Sequence, residues 1–413
     1  MPLVDYDAEV VRMLCQFSFK NFMSYKNETV FDFQAAALTE HTDSLIQREK
    51  ASPLLPVSVI YGPNGGGKTN LVRALSCLIS LVASPIHKLE KNQTKLIFQQ
   101  QVPCVPFLFD KTSKDEPTEF NIFFRTNGSE YRYYIALLKD EVQSESLYRR
   151  AIGGKKTATL FEREGSVIEL GPSLSKGSVN VEVNPKMPYL SFLAINYNFS
   201  QIVEVQKWFE SCIIRNYANP VVEKSMIFSE DEVFKKTFMT AIHDMGIDIS
   251  DYYFDNEKKE LFLQRTIAQE SYNISFTDES EGTKKLFVSL PLLMIALVEG
   301  RLVIIDELDA KLHPKLLRYI ISLFTNSEIN KHGAQLVFTS HDMSTMKNDV
   351  FRRDEIWFAA LDEEHSSELY SLYEIRKEDG KRINHTAAYD KQYLEGRYGA
   401  DPYLRTMLNW EEL

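Results

Sequence analysis

The residues Gly62 to Thr69 match the phosphate-binding pattern G-x-x-x-x-G-K-[ST] at every fixed position. In such a turn, backbone N–H groups face the phosphates of a nucleotide, and the lysine brings a positive charge to the terminal phosphates. A chance glycine-rich turn is the alternative. We predict that Lys68 contacts the terminal phosphates and that Thr69 binds Mg²⁺. The residues predicted to bind nucleotide here are Asn64, Gly65, Gly66, Gly67, Lys68, Thr69 and Asn70.

The segments on either side of this loop supply the setting that it needs. Val57 to Tyr61 is a short apolar strand. After the loop, apolar residues recur at the spacing of one buried helix face. They are Leu71, Ala74, Leu75, Leu78 and Ile79. A strand, a glycine-rich turn and a helix in this order indicate a phosphate loop.

Two acidic residues end a second apolar strand, which runs from Arg301 to Glu307. In parallel sheets, ligands bind at the carboxyl ends of the strands. We therefore predict that Asp306 holds Mg²⁺, directly or through water, and that Glu307 polarises the attacking water. A solvated acidic strand end is the alternative.

A third strand, residues 334–340, ends at His341. A histidine at this place can face the terminal phosphate and position the attacking water, so His341 is predicted as a catalytic residue. A structural role for this histidine is the alternative.

The turn at Ser280 and Gly282 leads into another apolar helix. Ser280 is a candidate N-cap, and the N-terminus of that helix is a second place where an anion could bind. Each anion site lies at the start of its own helix, so one chain cannot easily bring both to one phosphate group. Two chains packed head to tail can do so.

These motifs together resemble an ABC-type ATPase of the branch that includes SMC and RecF heads. The chain resembles more closely the bacterial AAA-labelled ATPases related to OLD (overcoming lysogenisation defect) proteins and the ATPase subunits of anti-phage systems. The resemblance is carried by residues 21–25, the phosphate loop, residues 280–283, 302–307, 312–314 and 339–342.

The resemblance implies ATP and Mg²⁺ as cofactors and two composite sites in a head-to-tail homodimer or a higher homo-oligomer. In that family the signature turn of one subunit covers the ATP of the other, so Ser280 and Gly282 would contact the partner's nucleotide. Asp309 would be the D-loop residue at the interface. Glu279 departs from the family pattern, which has leucine there, and the double glycine of transporter signatures is absent. These two departures argue against a transporter function.

Composition limits the possible partners and compartments. The chain has 413 residues, 44% of them hydrophobic, and a net charge of −11. That charge disfavours a broadly basic nucleic-acid surface, although nucleic acid is left open as a partner. The four cysteines are scattered without metal-ligand spacing, and no apolar run is long enough for a membrane span. Because the first 13 residues are acidic and polar, we expect no signal peptide. We expect a cytoplasmic protein without membrane contact.

The predicted fold class is an α/β P-loop NTPase, an ABC-ATPase head (RecF/SMC-like) with an antiparallel β subdomain and a compact helical insertion. Asn127-Gly128 between two alternating strands predicts a hairpin of that subdomain. We expect an N-terminal lobe at 1–187, the insertion at 188–246, and a C-terminal lobe at 247–413.

Two local interpretations stay open. The turn Asn21 to Ser24 either approaches the nucleotide or is a plain hairpin. One of Gln99, Gln100 and Gln101 could reach Mg²⁺, or these residues could form a solvated polar edge before a strand through Val105 and Leu108.

We expect an ATP-hydrolysing switch whose closure controls a separately encoded effector, a nuclease or toxin, in anti-phage defence. A RecF-like DNA-binding repair ATPase is the alternative, and a stand-alone nuclease is disfavoured because no metal cluster is evident.

Overall fold

The computed structural model describes residues 12–87, 102–175, 178–216, 232–255, 257–377 and 379–400. The strands are β1 Arg12–Lys20, β2 Thr29–Asp32, β3 Val57–Tyr61, β4 Thr118–Thr126, β5 Ser129–Leu138, β6 Glu141–Ala151, β7 Thr157–Glu164, β8 Val167–Leu170, β9 Ile213–Asn216, β10 Asp251–Asp255, β11 Glu260–Ile267, β12 Glu270–Ser275, β13 Leu302–Asp306, β14 Gln335–Thr339, β15 Ile356–Leu361 and β16 Ser367–Ser371. The helices are α1 Lys68–His87, α2 Tyr189–Asn196, α3 Ser200–Ser211, α4 Glu232–Asp244, α5 Glu281–Glu299, α6 Pro314–Thr325 and α7 Tyr389–Leu394.

The central sheet has the strand order β16-β15-β3-β14-β13-β9, and all neighbours are parallel except the β15–β16 pair. Every residue of β3, β13 and β14 is buried. Continuous apolar strands are typical of a parallel sheet that is covered on both faces. The carboxyl ends of β3, β13 and β14 therefore meet at one edge of the sheet.

The central sheet separates two hydrophobic cores. Ile60, Ile304 and Val337 face the core that contains α1, α2 and α3. Val59 and Ile305 face the other core, which contains α5 and α6. The alternation follows from the two-residue period of a strand, which sends successive side chains to opposite faces.

A seven-stranded antiparallel sheet, β2-β1-β4-β5-β6-β7-β8, forms the predicted β subdomain. The turn between β4 and β5 is Asn127-Gly128, with φ of 46° and 72°. Positive φ at both central residues suits a tight hairpin, so this prediction is confirmed. A smaller antiparallel sheet, β10-β11-β12, precedes α5.

The predicted mixed α/β fold class is confirmed, but residues 188–246 differ from the expected helical insertion. They supply α2, α3 and α4, and also β9, which pairs with β13. Ser191 Oγ of α2 donates to Val82 O of α1 at 2.8 Å. This segment is thus joined to the central sheet and to the phosphate-loop helix, and the division into three domains stays a prediction.

The predicted strand through Val105 and Leu108 is wrong. Val105 O accepts from Met23 N at 2.8 Å, and Phe107 N donates to Asn21 Oδ1 at 2.9 Å. These residues bond the irregular turn after β1 instead of pairing with a neighbouring strand. None of the helices in the described part of the chain has the length and hydrophobicity of a membrane span.

Candidate functional site

The phosphate loop connects β3, which ends at Tyr61, to α1, which begins at Lys68. Gly62 has φ of 145°, and a Cβ there would lie 2.1 Å from Ala359 O of β15. A Cβ on Gly66 would lie 2.5 Å from the same oxygen. The loop therefore passes so close to the neighbouring strand that only glycine fits at these two positions.

Lys68 lies buried at the start of α1, with its ammonium turned into the loop. Its Nζ donates to Gly62 O at 2.7 Å and to Pro63 O at 3.0 Å. Burial lowers the pKa of Lys68, and the carboxylates of Asp306, Glu307 and Asp309 act in the opposite direction. The side chain thus places a positive charge inside the concave loop, where the motif predicts phosphate oxygens.

Asp306 joins the phosphate loop to the acid strand. Thr69 Oγ1 lies 3.3 Å from Asp306 Oδ1, and Thr339 Oγ1 donates to the same oxygen at 2.7 Å. Hard oxygen donors of this kind suit Mg²⁺. The donor set of Thr69 and Asp306 therefore fits the predicted metal.

Thr339 belongs to the predicted motif at residues 339–342, but the sequence assigned no role to it. It ends β14, and its register with β13 places it beside Asp306. Its Oγ1 also accepts from Glu307 N at 2.7 Å. One sequence signal could have identified Thr339. It is a hydroxyl side chain at the end of β14, the strand that neighbours the acid strand β13.

Glu307 follows Asp306 at the carboxyl edge of the sheet, and its side chain is exposed. Its φ of 53° is in the left-handed region, where a residue with a side chain is uncommon. The bond from Glu307 N to Thr339 stabilises this conformation. The carboxylate is thereby accessible to a water molecule beside the phosphate loop.

His341 and Asp309 meet at the end of β14. His341 N, a backbone donor, lies 2.9 Å from Asp309 Oδ2. The imidazole itself is on an exposed residue. Asp309 Oδ1 is buried and has no hydrogen-bond partner among the described residues. The structure therefore brings these two predicted residues into contact, through the main chain of His341 and the side chain of Asp309.

The signature turn, residues 280–283, begins α5. Ser280 is the N-cap, as predicted, because its Oγ accepts from Thr283 N at 3.1 Å. Glu279, the departure from the family pattern, is buried and forms an ion pair with Arg265 of β11. Within the described part of the chain, no hydrogen bond or ion pair joins the signature turn to the phosphate loop of the same chain.

The turn after β1 connects the antiparallel strands β1 and β2 and also contacts the phosphate-loop helix. Its approach to a nucleotide stays a prediction. Ser24 Oγ accepts from Asn70 Nδ2 and from Ser367 Oγ, both at 2.8 Å. Tyr25 Oη donates to Gly67 O at 3.3 Å. Ser367 was not predicted, since it comes from the edge strand β16. The predicted positions Asn64 and Gly65 lie exposed at the loop tip, and Gln99, Gln100 and Gln101 lie outside the described residues.

Solved structures with a similar chain course have low similarity to this chain. An SMC head bound to the C-winged helix domain of ScpA has 14% identity and a TM-score of 0.44, covering 87% of this chain and 97% of that chain. The recombination mediator RecF with ATP, of the RecFOR pathway, has 11% identity and a TM-score of 0.32, covering 89% of this chain and 99% of that chain. No curated protein matches this chain.

A family model gives the clearer result. The model described as "AAA domain, putative AbiEii toxin, Type IV TA system" matches residues 57–347. This span covers more than half of the chain and includes the phosphate loop, the signature turn, Asp306, Glu307 and His341. The chain belongs to this family of AAA-domain ATPases.

Proposed function

We propose that this protein binds ATP with Mg²⁺ and hydrolyses it to ADP and phosphate. The observation that supports this most directly is the contact between Thr69 and Asp306. It joins the phosphate loop to the acid strand, so Thr69 and Asp306 could together hold the metal. The described residues near this edge thus supply the ammonium group of Lys68, oxygen ligands from Thr69 and Asp306, and the exposed carboxylate of Glu307.

Each residue has a distinct role in this proposal. Lys68 Nζ would donate to phosphate oxygens in place of its present carbonyl acceptors. The backbone N–H groups of residues 64–69 would donate to the phosphates as well. Thr69 and Asp306 would hold Mg²⁺, which neutralises phosphate charge when bound. Glu307 would polarise the attacking water, and His341 would contact the terminal phosphate.

The signature turn supports a composite site between two chains. Ser280 and Gly282 have no bond to the phosphate loop of their own chain within the described residues, yet Ser280 begins a helix whose first N–H groups can bind an anion. A second copy packed head to tail would place this helix start over the nucleotide. Asp309 would then lie at the interface.

The family description supports a proposal for the biological setting. Its description names a toxin and a type IV toxin–antitoxin system. With the resemblance to ATPases of OLD-related and anti-phage systems, this supports a role in which nucleotide-driven closure controls a separately encoded nuclease or toxin. The protein would then act as a switch in anti-phage defence.

Phosphate release by the purified protein tests this function. We expect hydrolysis with ATP and Mg²⁺, and loss of hydrolysis with EDTA. Lys68→Ala should weaken ATP binding, measured by calorimetry, by about tenfold or more, because a charge-assisted contact to phosphate is lost. Lys236→Ala, at an exposed lysine of α4, is the control. Unchanged ATP affinity in Lys68→Ala would contradict the assignment of the loop.

A further inference from the structure

Lys285, on the second turn of α5, is a buried lysine that no motif explains. Only 2% of its surface is exposed. Its Nζ donates to Glu307 O at 2.6 Å and to Ala310 O at 2.9 Å. The lysine therefore connects the helix of the signature turn to the acid turn, which we define as residues 307–311.

A buried ammonium needs a reason in the structure, because removing it from water is costly. Burial lowers the pKa of Lys285 to about 8, opposed by the nearby carboxylates of Asp309, Glu307 and Asp306, while the charge of Lys311 lowers it further. The two hydrogen bonds of Nζ go to backbone carbonyls and not to a carboxylate. Its contacts are thus suited to holding a main-chain conformation.

The acid turn has a backbone that requires such support. Glu307 and Lys311 have φ of 53° and 65°, both left-handed. A residue with a side chain is strained in this conformation, so contacts from the surroundings must offset the strain. Lys285 binds the carbonyl of Glu307 itself and that of Ala310, just before Lys311. One side chain thereby spans the turn.

Two further contacts join the same segments. Lys311 Nζ forms an ion pair with Glu281 Oε2 at 2.9 Å. A Cβ on Gly282 would lie 2.8 Å from Lys311 O, so the two backbones approach closely. The signature turn and the acid turn of one chain therefore form one contacting unit.

We propose that Lys285 is a positioning residue that couples the signature turn to the acid turn, and so sets the position of Glu307 and Asp309. This inference rests on the proposed function. When the signature turn contacts the nucleotide held by a second copy, the coupling would transmit that contact to Glu307 in the chain's own site. ATP binding by the phosphate loop would not depend on it.

The test compares Lys285→Met with Lys284→Met. Lys284 is the neighbouring buried lysine of α5, and its Nζ bonds Glu281 rather than the acid turn. For Lys285→Met we expect kcat to fall about tenfold to a hundredfold, because a small displacement of a catalytic group such as Glu307 lowers the rate by this much. KM and ATP affinity should stay within about twofold. Lys285→Arg should restore part of kcat, and Lys284→Met should stay within about twofold of the wild type.

Hydrogen exchange without nucleotide gives a readout that is independent of hydrolysis. The amides of Leu308 and Ala310, which bond Thr339 O and Glu307 O, should exchange about tenfold faster in Lys285→Met than in Lys284→Met. If circular dichroism shows that Lys285→Met does not fold, Lys285→Gln takes its place in both measurements.

The outcomes separate the two proposals. A wild-type protein that hydrolyses no ATP would contradict the proposed function, while faster exchange would still support the coupling. A folded Lys285 variant with wild-type exchange in the acid turn would overturn the coupling. A variant with wild-type kcat in an active enzyme would overturn it as well.

Discussion

Glu307 is the residue on which the proposed hydrolysis depends most directly. Its carboxylate is exposed at the edge of the sheet, while its backbone N–H is held by Thr339 at 2.7 Å. The side chain can therefore act on water while the main chain stays fixed. Asp306, one residue earlier, is buried and has a different task, since its Oδ1 bonds Thr339 and lies near Thr69.

Glu307→Gln should bind ATP as the wild type does and hydrolyse it about a hundredfold to ten-thousandfold more slowly. The amide keeps the shape of the side chain but is a poor proton acceptor. Single-turnover phosphate release measures the chemical step, and calorimetry measures binding. Glu363→Gln, at an exposed acid in the loop after β15, is the control. A Glu307→Gln protein that hydrolyses at the wild-type rate would refute the role given to Glu307.

At the scale of elements, a buried carboxylate connects the antiparallel sheet to α2. Glu145 of β6 accepts from Tyr189 N at 2.6 Å and from Leu190 N at 2.9 Å, the first two residues of that helix. It also lies 3.6 Å from the buried guanidinium of Arg163. Pro188, the N-cap of α2, has no side-chain cap bond, so Glu145 satisfies the helix terminus from another element.

Glu145→Ala should lower the free energy of unfolding by about 3 to 5 kcal/mol, because it leaves Arg163 buried without its carboxylate and two helix amides unpaired. Urea unfolding followed by circular dichroism measures the change. Glu162→Ala, which removes an exposed carboxylate bonded to Tyr148 Oη on the same sheet, should cost about 1 kcal/mol or less. Equal losses in the two variants would show that Glu145 does not connect these elements.

At the scale of the whole molecule, the question is whether one active site needs two chains. Ser280→Arg adds bulk and charge at the start of α5, away from the phosphate loop of its own chain. It should leave ATP binding by a single chain intact and block closure and hydrolysis. Mixed with Lys68→Ala chains, it should recover about a quarter of wild-type activity, if dimers form at random and sites act independently.

The recovery has a simple origin. In a head-to-tail mixed dimer, one site carries both defects and the other carries neither. Mixing Lys68→Ala with a Ser280→Arg, Lys68→Ala double variant is the control, since it leaves no intact site. Proven mixed dimers without recovery would contradict either the composite site or independent turnover. ATP-driven dimerisation of each parent, measured by light scattering, distinguishes these two.

Local sequence patterns were enough to predict several parts of this protein. The loop between β3 and α1, the buried face of α1, the acid strand β13 and the Asn127-Gly128 hairpin were all predictable. In each, neighbouring residues carry the signal: glycines where a side chain would clash, a 3.6-residue apolar period, or a turn that needs positive φ. Local structure of this kind is set within a few residues.

Contacts between distant residues, in contrast, depend on the folded arrangement of strands and helices. Thr339 reaches Asp306 because β14 lies next to β13 in a particular register, and Ser367 reaches Ser24 because β16 is at the sheet edge near the first turn. The role of β9 in the central sheet and the bonds of Lys285 to the acid turn depend in the same way on strand order and helix docking. Such contacts join residues far apart in the chain, and no local pattern specifies them, because their geometry follows from the packing of all the elements together.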